Sequence, residues 1–286
     1  MTNTINRRQW MAGAAMAASL GAVPAHAGKL NKPLTFVLAH GTWHGGWAWR
    51  DVRNLLEDQG HRVFTPTLTG CGEREHLSSP DIGLETHITD LTNVVRFEEL
   101  DDIVMVGHSF TGVAMTGVVD RFKDRIRHVV YFDAIVPSET RRAGIPRDAD
   151  GRLPAWFEAR RKQFIDGYKM DMWVDYPLKM LLPEDHPQAA RVRRLITTHP
   201  MRSWTDELVL ENGGWADVPR SFIHCVGQQY RMSSEKMVGP ARGPGWNFVE
   251  LDIPRDGMIT HPEIVAKTLI EIALKTPAAG QSEQSS

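Results

Sequence analysis

The stretch GHSFTG, residues 107–112, decides how this sequence can fold. It follows an apolar run, residues 102–106, that predicts a buried strand, and it leads into a small-residue helical pattern over residues 110–122. A strand that runs into Gly-x-Ser-x-Gly and then into a helix holds its serine on a sharp turn. Here Thr111 fills the last position of that pattern, and the glycine follows one place later. The pattern predicts Ser109 as a nucleophile, on a turn that Thr111 is expected to crowd.

Strand and helix patterns alternate on both sides of this turn. Apolar runs predict further strands at residues 34–39, 62–66, 128–132, 221–226 and 247–251, and amphipathic patterns predict helices at residues 47–59, 84–98 and 262–274. Such alternation implies an α/β protein with a mostly parallel twisted sheet and helices on both faces.

One inserted segment, residues 138–219, differs in composition from the rest of the chain. It is rich in proline, arginine, tryptophan and methionine, and it predicts a helical cap over the carboxyl edge of the sheet, where ligands bind in open α/β sheets. Its large apolar side chains either line an apolar or aromatic substrate pocket or only pack the cap against the sheet; they are Trp156, Trp173, Trp204, Met170, Met172 and Met180.

The two ends of the chain are predicted to lie outside the folded core. Twin arginines, Arg7 and Arg8, precede an apolar run over residues 11–23, and small residues follow at 25–27. This pattern is typical of a twin-arginine signal peptide over residues 1–27, and its apolar run is too short for a stable membrane span. We therefore expect a periplasmic or secreted bacterial protein with a core of residues 28–137 and 220–275. Residues 276–286 are small and polar and predict a disordered tail.

Composition narrows the possible partners. The net charge of the 286 residues is −2, which gives no electrostatic reason to expect nucleic acid or an anionic membrane as a partner. The two cysteines, Cys71 and Cys225, could form one disulfide, but two buried free thiols are the preferred interpretation. No cysteine and histidine cluster has metal-ligand spacing, and the glycines near Ser109 do not form a dinucleotide fingerprint. We expect a small-molecule substrate and no metal or organic cofactor.

An ordered series of motifs carries a family resemblance. The motifs are HGTWHGGW at residues 40–47, FTPTLTG at 64–70, GER at 72–74, GHS at 107–109 and YFDA at 131–134. Together they resemble the α/β-hydrolase branch that contains plant methyl-salicylate esterases, hydroxynitrile lyases and bacterial esterases of the carbendazim-hydrolysing type. The resemblance extends over residues 35 to about 275. It implies the α/β-hydrolase fold and an enzyme.

The same resemblance implies which residues surround Ser109. The backbone N–H groups of Thr42 and Phe110 would form an oxyanion hole. His40, Trp43 and His108 flank the serine and are candidates for substrate contact, although a histidine in such a turn is more often a structural brace.

The resemblance also locates the expected base and acid. In the family, a histidine lies after the last strand in a pattern like Gly-His-Asp-x-Met-x-Thr-x-Pro, and residues 254–262 here read PRDGMITHP. Arg255 then occupies the histidine position, and because arginine stays protonated it cannot be the base. The acid position is nearest to Gln229, and Asp133 after a neighbouring strand is an alternative. His261 is expected to point away from Ser109.

Three hypotheses about function remain open from the sequence. The first is a divergent hydrolase that acts through Ser109 on a small apolar or aromatic ester, lactone or amide. The second is a lyase, isomerase or cyclase that uses Arg255 to bind an anionic group. The third is a catalytically inactive, ligand-binding member. The resemblance over the whole chain favours an enzyme, and the first hypothesis is preferred.

Export can be tested directly on the secreted product. If the twin-arginine segment is a signal peptide, the exported protein begins at Gly28, because small residues at positions 25 and 27 suit the signal peptidase. N-terminal sequencing of the periplasmic or culture fraction checks this start. A protein that stays in the cytoplasm with its first residues intact would rule out the export prediction.

Overall fold

The computed structural model describes residues 32–137, 142–174, 176–227 and 238–279. The predicted signal peptide, Gln229 and residues 280–286 lie outside the described residues, so the predictions about them stay predictions. Within the described ranges, no helix combines the length and the apolar composition needed to cross a bilayer.

A six-stranded sheet in which all paired strands are parallel forms the centre of the fold, in the order β2-β1-β3-β4-β7-β8. The described strands are β1 (Thr35–Ala39), β2 (Arg62–Phe64), β3 (Ile103–His108), β4 (Ile126–Phe132), β5 (Lys169–Met170), β6 (His199–Pro200), β7 (Arg220–Cys225) and β8 (Asn247–Leu251). β5 and β6 form a separate antiparallel ribbon. The predicted mostly parallel sheet is thereby confirmed, and β8 has the predicted bounds.

Helices cover both faces of this sheet. The described α-helices are α1 (Arg50–Glu57), α2 (Leu84–Phe97), α3 (Thr111–Arg121), α4 (Ala155–Arg161), α5 (Ala189–Leu195), α6 (Arg202–Thr205), α7 (Gly257–Thr260) and α8 (Pro262–Leu274). α8 has the predicted bounds. The predicted helix over residues 47–59 is shorter, because its first turn is a 3₁₀ helix, Gly46–Trp49, and its end is followed by Gly60 with φ 85°.

The core is divided into two layers by the alternation of side chains along each strand. In β1, Phe36 and Leu38 pack in the layer that also holds α1 and α8, whereas Val37 and Ala39 pack in the layer that holds α2 and α3. All four side chains are fully buried. Continuous apolar strands are what a parallel sheet covered on both faces requires.

The inserted segment consists of short helices and the β5–β6 ribbon, so it is not purely helical. Met170, Met172 and Met180 are buried, and the first two belong to the same apolar cluster as the sheet layer beneath them. Trp156 and Trp173 are instead exposed. The buried methionines therefore pack the segment together, and neither of these two tryptophans is enclosed.

The predicted disordered tail begins too early. Thr276 is buried, and its hydroxyl accepts a hydrogen bond from His128 Nδ1 at 2.8 Å and donates one to Ile272 O at 3.0 Å. The N–H of Ala279 donates to Asp102 Oδ1 at 2.8 Å. Polar composition suggested disorder, but these hydrogen bonds hold residues 276–279 against the sheet.

His128 is buried in β4 as a neutral imidazole. Because the Thr276 hydroxyl donates to Ile272, it must accept from Nδ1–H of His128, and Nε2 is left to accept from the Ser221 hydroxyl at 2.7 Å. Burial lowers the pKa of His128 to about 4 from its usual 6.5. The fold therefore favours the uncharged form of this side chain.

This histidine should make the protein sensitive to acid. Above pH 6.5, His128 is neutral in both the folded and the unfolded chain, and its contribution to the free energy of unfolding is fully present. As the pH falls from 6.5 towards 4, only the unfolded chain takes up the proton, so this contribution is lost. The slope from one such group is at most about 1.4 kcal/mol per pH unit. Urea unfolding of wild type and His128→Gln between pH 4 and 7, with the exposed His76→Gln as control, measures it. An unchanged slope in His128→Gln would contradict this assignment.

Candidate active site

Ser109 lies directly after β3, on the turn that leads into α3. Its backbone is in the left-handed region with φ 59°, which a non-glycine residue adopts only at a cost. The turn is fixed by hydrogen bonds from Ser109 N–H to Phe132 O at 3.2 Å and from Ile135 N–H to Ser109 O at 2.9 Å. Two other residues after neighbouring strands share this backbone region: Trp43 after β1 with φ 68° and Asp133 after β4 with φ 42°. Such strain commonly clusters at functional sites.

Thr111 fits the turn, contrary to the expectation that it would crowd it. Its hydroxyl donates a hydrogen bond to the carbonyl of His40, so the side chain links the serine turn to the turn after β1. The indispensable glycine is Gly112, because a Cβ there would lie 2.3 Å from Ile135 O. The packing of this turn therefore requires glycine at position 112 and accepts threonine at position 111.

Arg255 joins Ser109 to Asp133. Its Nη2 donates to Ser109 Oγ at 2.7 Å, and its Nη1 donates to Asp133 Oδ2 in a buried ion pair. The arginine is 1% exposed and Asp133 is 2% exposed. A buried charge requires a partner of this kind, and here the guanidinium spans the carboxylate and the serine. The predicted residues Ser109, Arg255 and Asp133 are thus brought together.

The direction of the hydrogen bond determines what the serine can do. A guanidinium has only donors, so Ser109 Oγ must be the acceptor from Arg255. The serine keeps its own O–H proton, which can be donated to a ligand oxygen. Arg255 cannot remove that proton, because it has no lone pair available.

Among the described residues, no histidine nitrogen makes a hydrogen bond with Ser109 Oγ. His108 is buried beside the rings of Phe132 and His44, each at 5.8 Å between centroids. Burial and then the charge of Arg255 hold the pKa of His108 well below its usual value, so the ring stays neutral. His261 Nδ1 is 2.9 Å from the hydroxyl of Thr260, at the start of α8. Neither ring is placed as the base for Ser109 in this arrangement.

The turn after β1 packs tightly against the serine turn. A Cβ on Gly41 would lie 2.8 Å from Ser109 Cβ, so only glycine allows this approach. The N–H groups of Thr42 and Phe110 donate to no acceptor in the described part of the chain. The Thr42 hydroxyl is also buried without a described partner, a feature that the sequence analysis missed. This pair of turns thus holds polar groups of Thr42 and Phe110 that no described residue satisfies.

A second buried ion pair connects the β1 turn to the Arg255 loop. His44 Nε2 donates to Asp256 Oδ2 at 2.9 Å, and His44 Nδ1 donates to Thr42 O at 2.8 Å. With both nitrogens donating, the ring carries a positive charge. Burial opposes that charge, but the Asp256 carboxylate outweighs burial and raises the pKa of His44. His44 therefore braces the turn after β1, and Asp256 is its partner, which sequence spacing did not reveal.

The three residues predicted to contact substrate have different surroundings. His40 Nδ1 donates to Gly41 O at 2.8 Å and its Nε2 accepts from Leu68 N–H at 3.0 Å, so neither nitrogen remains for a ligand. Burial lowers the pKa of His40 to about 3, in agreement with a neutral ring. Trp43 Nε1 donates to Met170 O at 3.2 Å and thereby ties the turn to the inserted segment. His40 is thus a brace, which corrects its assignment as a substrate contact.

An aromatic stack extends from the serine turn into the inserted segment. The Phe110 ring stacks on Trp204 at 4.7 Å, and its edge faces His199 at 5.9 Å. His199 is in turn 3.3 Å from Cys71 Sγ, and burial raises the pKa of this thiol. Cys71 and Cys225 are both buried and free, as predicted. In the described ranges, no group of three or more potential metal ligands is found.

With this site in place, comparison with known proteins identifies the class. A model of the alpha/beta hydrolase family matches residues 36–265, and the chain belongs to this family. It is 36% identical over 245 residues to the carbendazim hydrolyzing esterase of a Nocardioides species, a match that covers 82% of this chain and 97% of that protein. Methylesterase 1 of Arabidopsis thaliana is 29% identical over 208 residues, covering 66% of this chain and 76% of that protein.

A solved structure supports the same fold. An extracellular α/β-hydrolase from a Paenibacillus species superposes with a TM-score of 0.67 at 22% identity, and the match covers 87% of this chain and all of that one. The resemblance to the esterase branch is therefore confirmed. The protein is an esterase-like enzyme of the α/β-hydrolase superfamily.

Breaking the second ion pair should destabilise the protein strongly. Asp256→Asn removes the carboxylate and leaves the buried His44 without its charge partner, which typically costs about 3–5 kcal/mol. The free energy of unfolding in urea measures the loss. Asp101→Asn is the matched control, because Asp101 pairs with Arg125 at the surface, where such pairs contribute about 0–1 kcal/mol. Equal effects of the two substitutions would contradict the role assigned to Asp256.

Proposed function

We propose that this enzyme binds the carbonyl group of a small apolar or aromatic ester, lactone or amide at Ser109 and hydrolyses it slowly. The observation that carries the proposal is the contact between Ser109 Oγ and Arg255 Nη2 on the strained turn after β3. In this proposal the N–H groups of Thr42 and Phe110 receive the oxyanion, because they have no described acceptor of their own.

The proposed reaction is an acyl transfer without a histidine base. Ser109 Oγ attacks the carbonyl carbon, and the bond from that carbon to the leaving oxygen of an ester or lactone, or to the leaving nitrogen of an amide, breaks. The nearby guanidinium charge favours the negative charge that develops on Oγ. Because Arg255 cannot accept the serine proton, that proton goes to the departing oxygen or nitrogen, directly or through water. Water then releases the acyl group as an acid. Hydrolysis is slow in this scheme because no general base assists it.

The substrate class follows from the residues beside the serine. Phe110 and Trp204 form an apolar aromatic stack next to Ser109, and Trp43 is held on the other turn by its bond to Met170. Aromatic side chains with a few polar groups are typical of pockets for small apolar ligands. The esterase relatives support the choice of an ester over other carbonyl compounds.

A second candidate function is favoured by the same arginine contact. Arg255 presents a fixed positive charge and leaves the Ser109 proton able to donate, so the pair could stabilise an enolate, a phenolate or a carboxylate without covalent chemistry. The enzyme would then be a lyase, an isomerase or a cyclase. If the same contacts bind an anion without a reaction, the protein would be a ligand-binding member of the family.

Replacing Arg255 by histidine distinguishes ester hydrolysis from the second candidate function. Arg255→His would introduce an imidazole between Asp133 and Ser109, which is the order of acid, base and nucleophile in a serine hydrolase. General-base assistance is typically worth about 10²–10⁴-fold, so kcat/KM for 4-nitrophenyl acetate should rise by a factor in this range. Steady-state kinetics and mass spectrometry for an acyl adduct on Ser109 measure the change.

Three controls make the result decisive. Wild type should hydrolyse the ester slowly, Ser109→Ala should not exceed the uncatalysed rate, and Asp133→Asn combined with Arg255→His should lose most of the gain. Circular dichroism confirms that each variant is folded. Rapid hydrolysis by wild type together with no gain in a folded Arg255→His protein would show that the base lies elsewhere. No hydrolysis and no adduct in either protein would favour the second candidate.

We also propose that the enzyme acts after export from a bacterial cytoplasm. The support is the twin-arginine pattern at residues 7–8 and the small residues that follow its apolar run.

A further inference from the structure

A cavity of about 540 Å³ lies at the junction of α1 with the inserted segment. This volume is within the usual range of small-molecule sites, about 300–1,000 Å³. Its lining comes from the start of α1, the segments around Thr65 and Gly72, and the end of α5; the charged and aromatic members are Trp47, Arg50, Arg53, Glu73 and Arg194. Ser109 and Arg255 do not line it, so it is distinct from the candidate active site.

The charge of this lining is strongly positive. Three arginines and one glutamate line the cavity, which gives a net charge of +2 in a chain whose total charge is −2. Arg50 and Arg194 form no ion pair with any carboxylate among the described residues. Arg53 is 3.9 Å from Glu57 and is partly exposed, so this pair contributes little. Glu73 and Glu57 therefore offset only part of this positive charge, and the exposed Arg50 and Arg194 have no carboxylate partner in the described part of the chain.

Two hydrogen-bond donors on the lining residues also lack acceptors. Trp47 Nε1 and Arg53 Nε are buried and make no hydrogen bond to a described residue. Both are N–H groups that can only donate. Because these two atoms are shielded from water, they do not face the open part of the cavity, and the recognition of a ligand rests on the exposed guanidinium groups of Arg50 and Arg194.

We propose that this cavity binds a small organic dianion that carries two carboxylates or one phosphate. Two negative charges match the net charge of the lining, and arginine recognises carboxylate and phosphate oxygens with paired hydrogen bonds. The Trp47 ring beside the arginines provides an apolar surface for the carbon skeleton of the ligand. This site does not depend on the function proposed for Ser109.

The site also has a direct connection to the turn that carries Thr42. Trp47 stacks on His44 at 5.5 Å, and the N–H of Gly46 donates to the Thr67 hydroxyl at 2.8 Å. A ligand in the cavity would therefore lie against Gly46 and Trp47, which directly follow this turn in the chain.

Binding of phthalate tests the proposal. Isothermal titration of the full-length protein with phthalate, benzoate and benzamide compares two charges, one charge and none on similar rings. We expect affinity to fall in that order and to weaken at higher salt. Arg50→Gln and Arg194→Gln should each weaken phthalate binding about tenfold, the usual effect of losing one charge-assisted hydrogen bond.

Arg125→Gln is the matched control, because it removes the same charge just before β4, at the amino ends of the strands and away from the cavity. It should leave phthalate affinity unchanged. The proposal is overturned if wild type does not bind phthalate at millimolar concentration. It is equally overturned if phthalate binds but both cavity variants retain wild-type affinity, since the ligand would then occupy another site such as Arg255.

Discussion

The buried guanidinium of Arg255 is the constraint on which the arrangement of this site depends. A charge that is 1% exposed needs partners inside the protein, and Asp133 and Ser109 fill that role. The interaction draws together the turn after β3, the turn after β4 and the loop after β8. It also determines what Ser109 can do. Because the guanidinium can only donate, Ser109 Oγ accepts a hydrogen bond from Arg255 and keeps its own proton to donate to a ligand.

A second set of contacts makes this arrangement rigid. Asp256, next to Arg255 in the chain, pairs with His44, and His44 donates to the carbonyl of Thr42. Thr111 donates to the carbonyl of His40, so the serine turn and the turn after β1 are joined a second time. The two candidate oxyanion donors belong to these two turns. Buried polar contacts thus fix the relative position of the two donors, because a shift of either turn would leave a buried polar group without its partner.

Much of the fold was predictable because its signals are local. Alternating apolar strands and amphipathic helices indicated a parallel sheet, and the bounds of β8 and α8 were predicted to the residue. Errors occurred where distant contacts override local composition. Thr276 looks like the start of a polar tail but is held by His128, and Thr111 looks too bulky for its turn but finds an acceptor at His40. His40 resembled a ligand contact until both of its ring nitrogens proved to be engaged by backbone groups.

The sequence by itself determined the fold class, the serine on its turn, and the register that puts Arg255 after the last strand. Only the tertiary structure decided that Arg255 reaches Asp133 and Ser109, that Asp256 pairs with His44, and that three arginines line the cavity beside α1. The physical reason is that sequence patterns report on neighbouring residues, whereas the contacts of the site join residues that are far apart in the chain. Periodicity and turn patterns span a few residues, whereas Ser109 and Arg255 are separated by 146 positions. Their contact exists because parallel strands bring the loops at their carboxyl ends to one edge of the sheet.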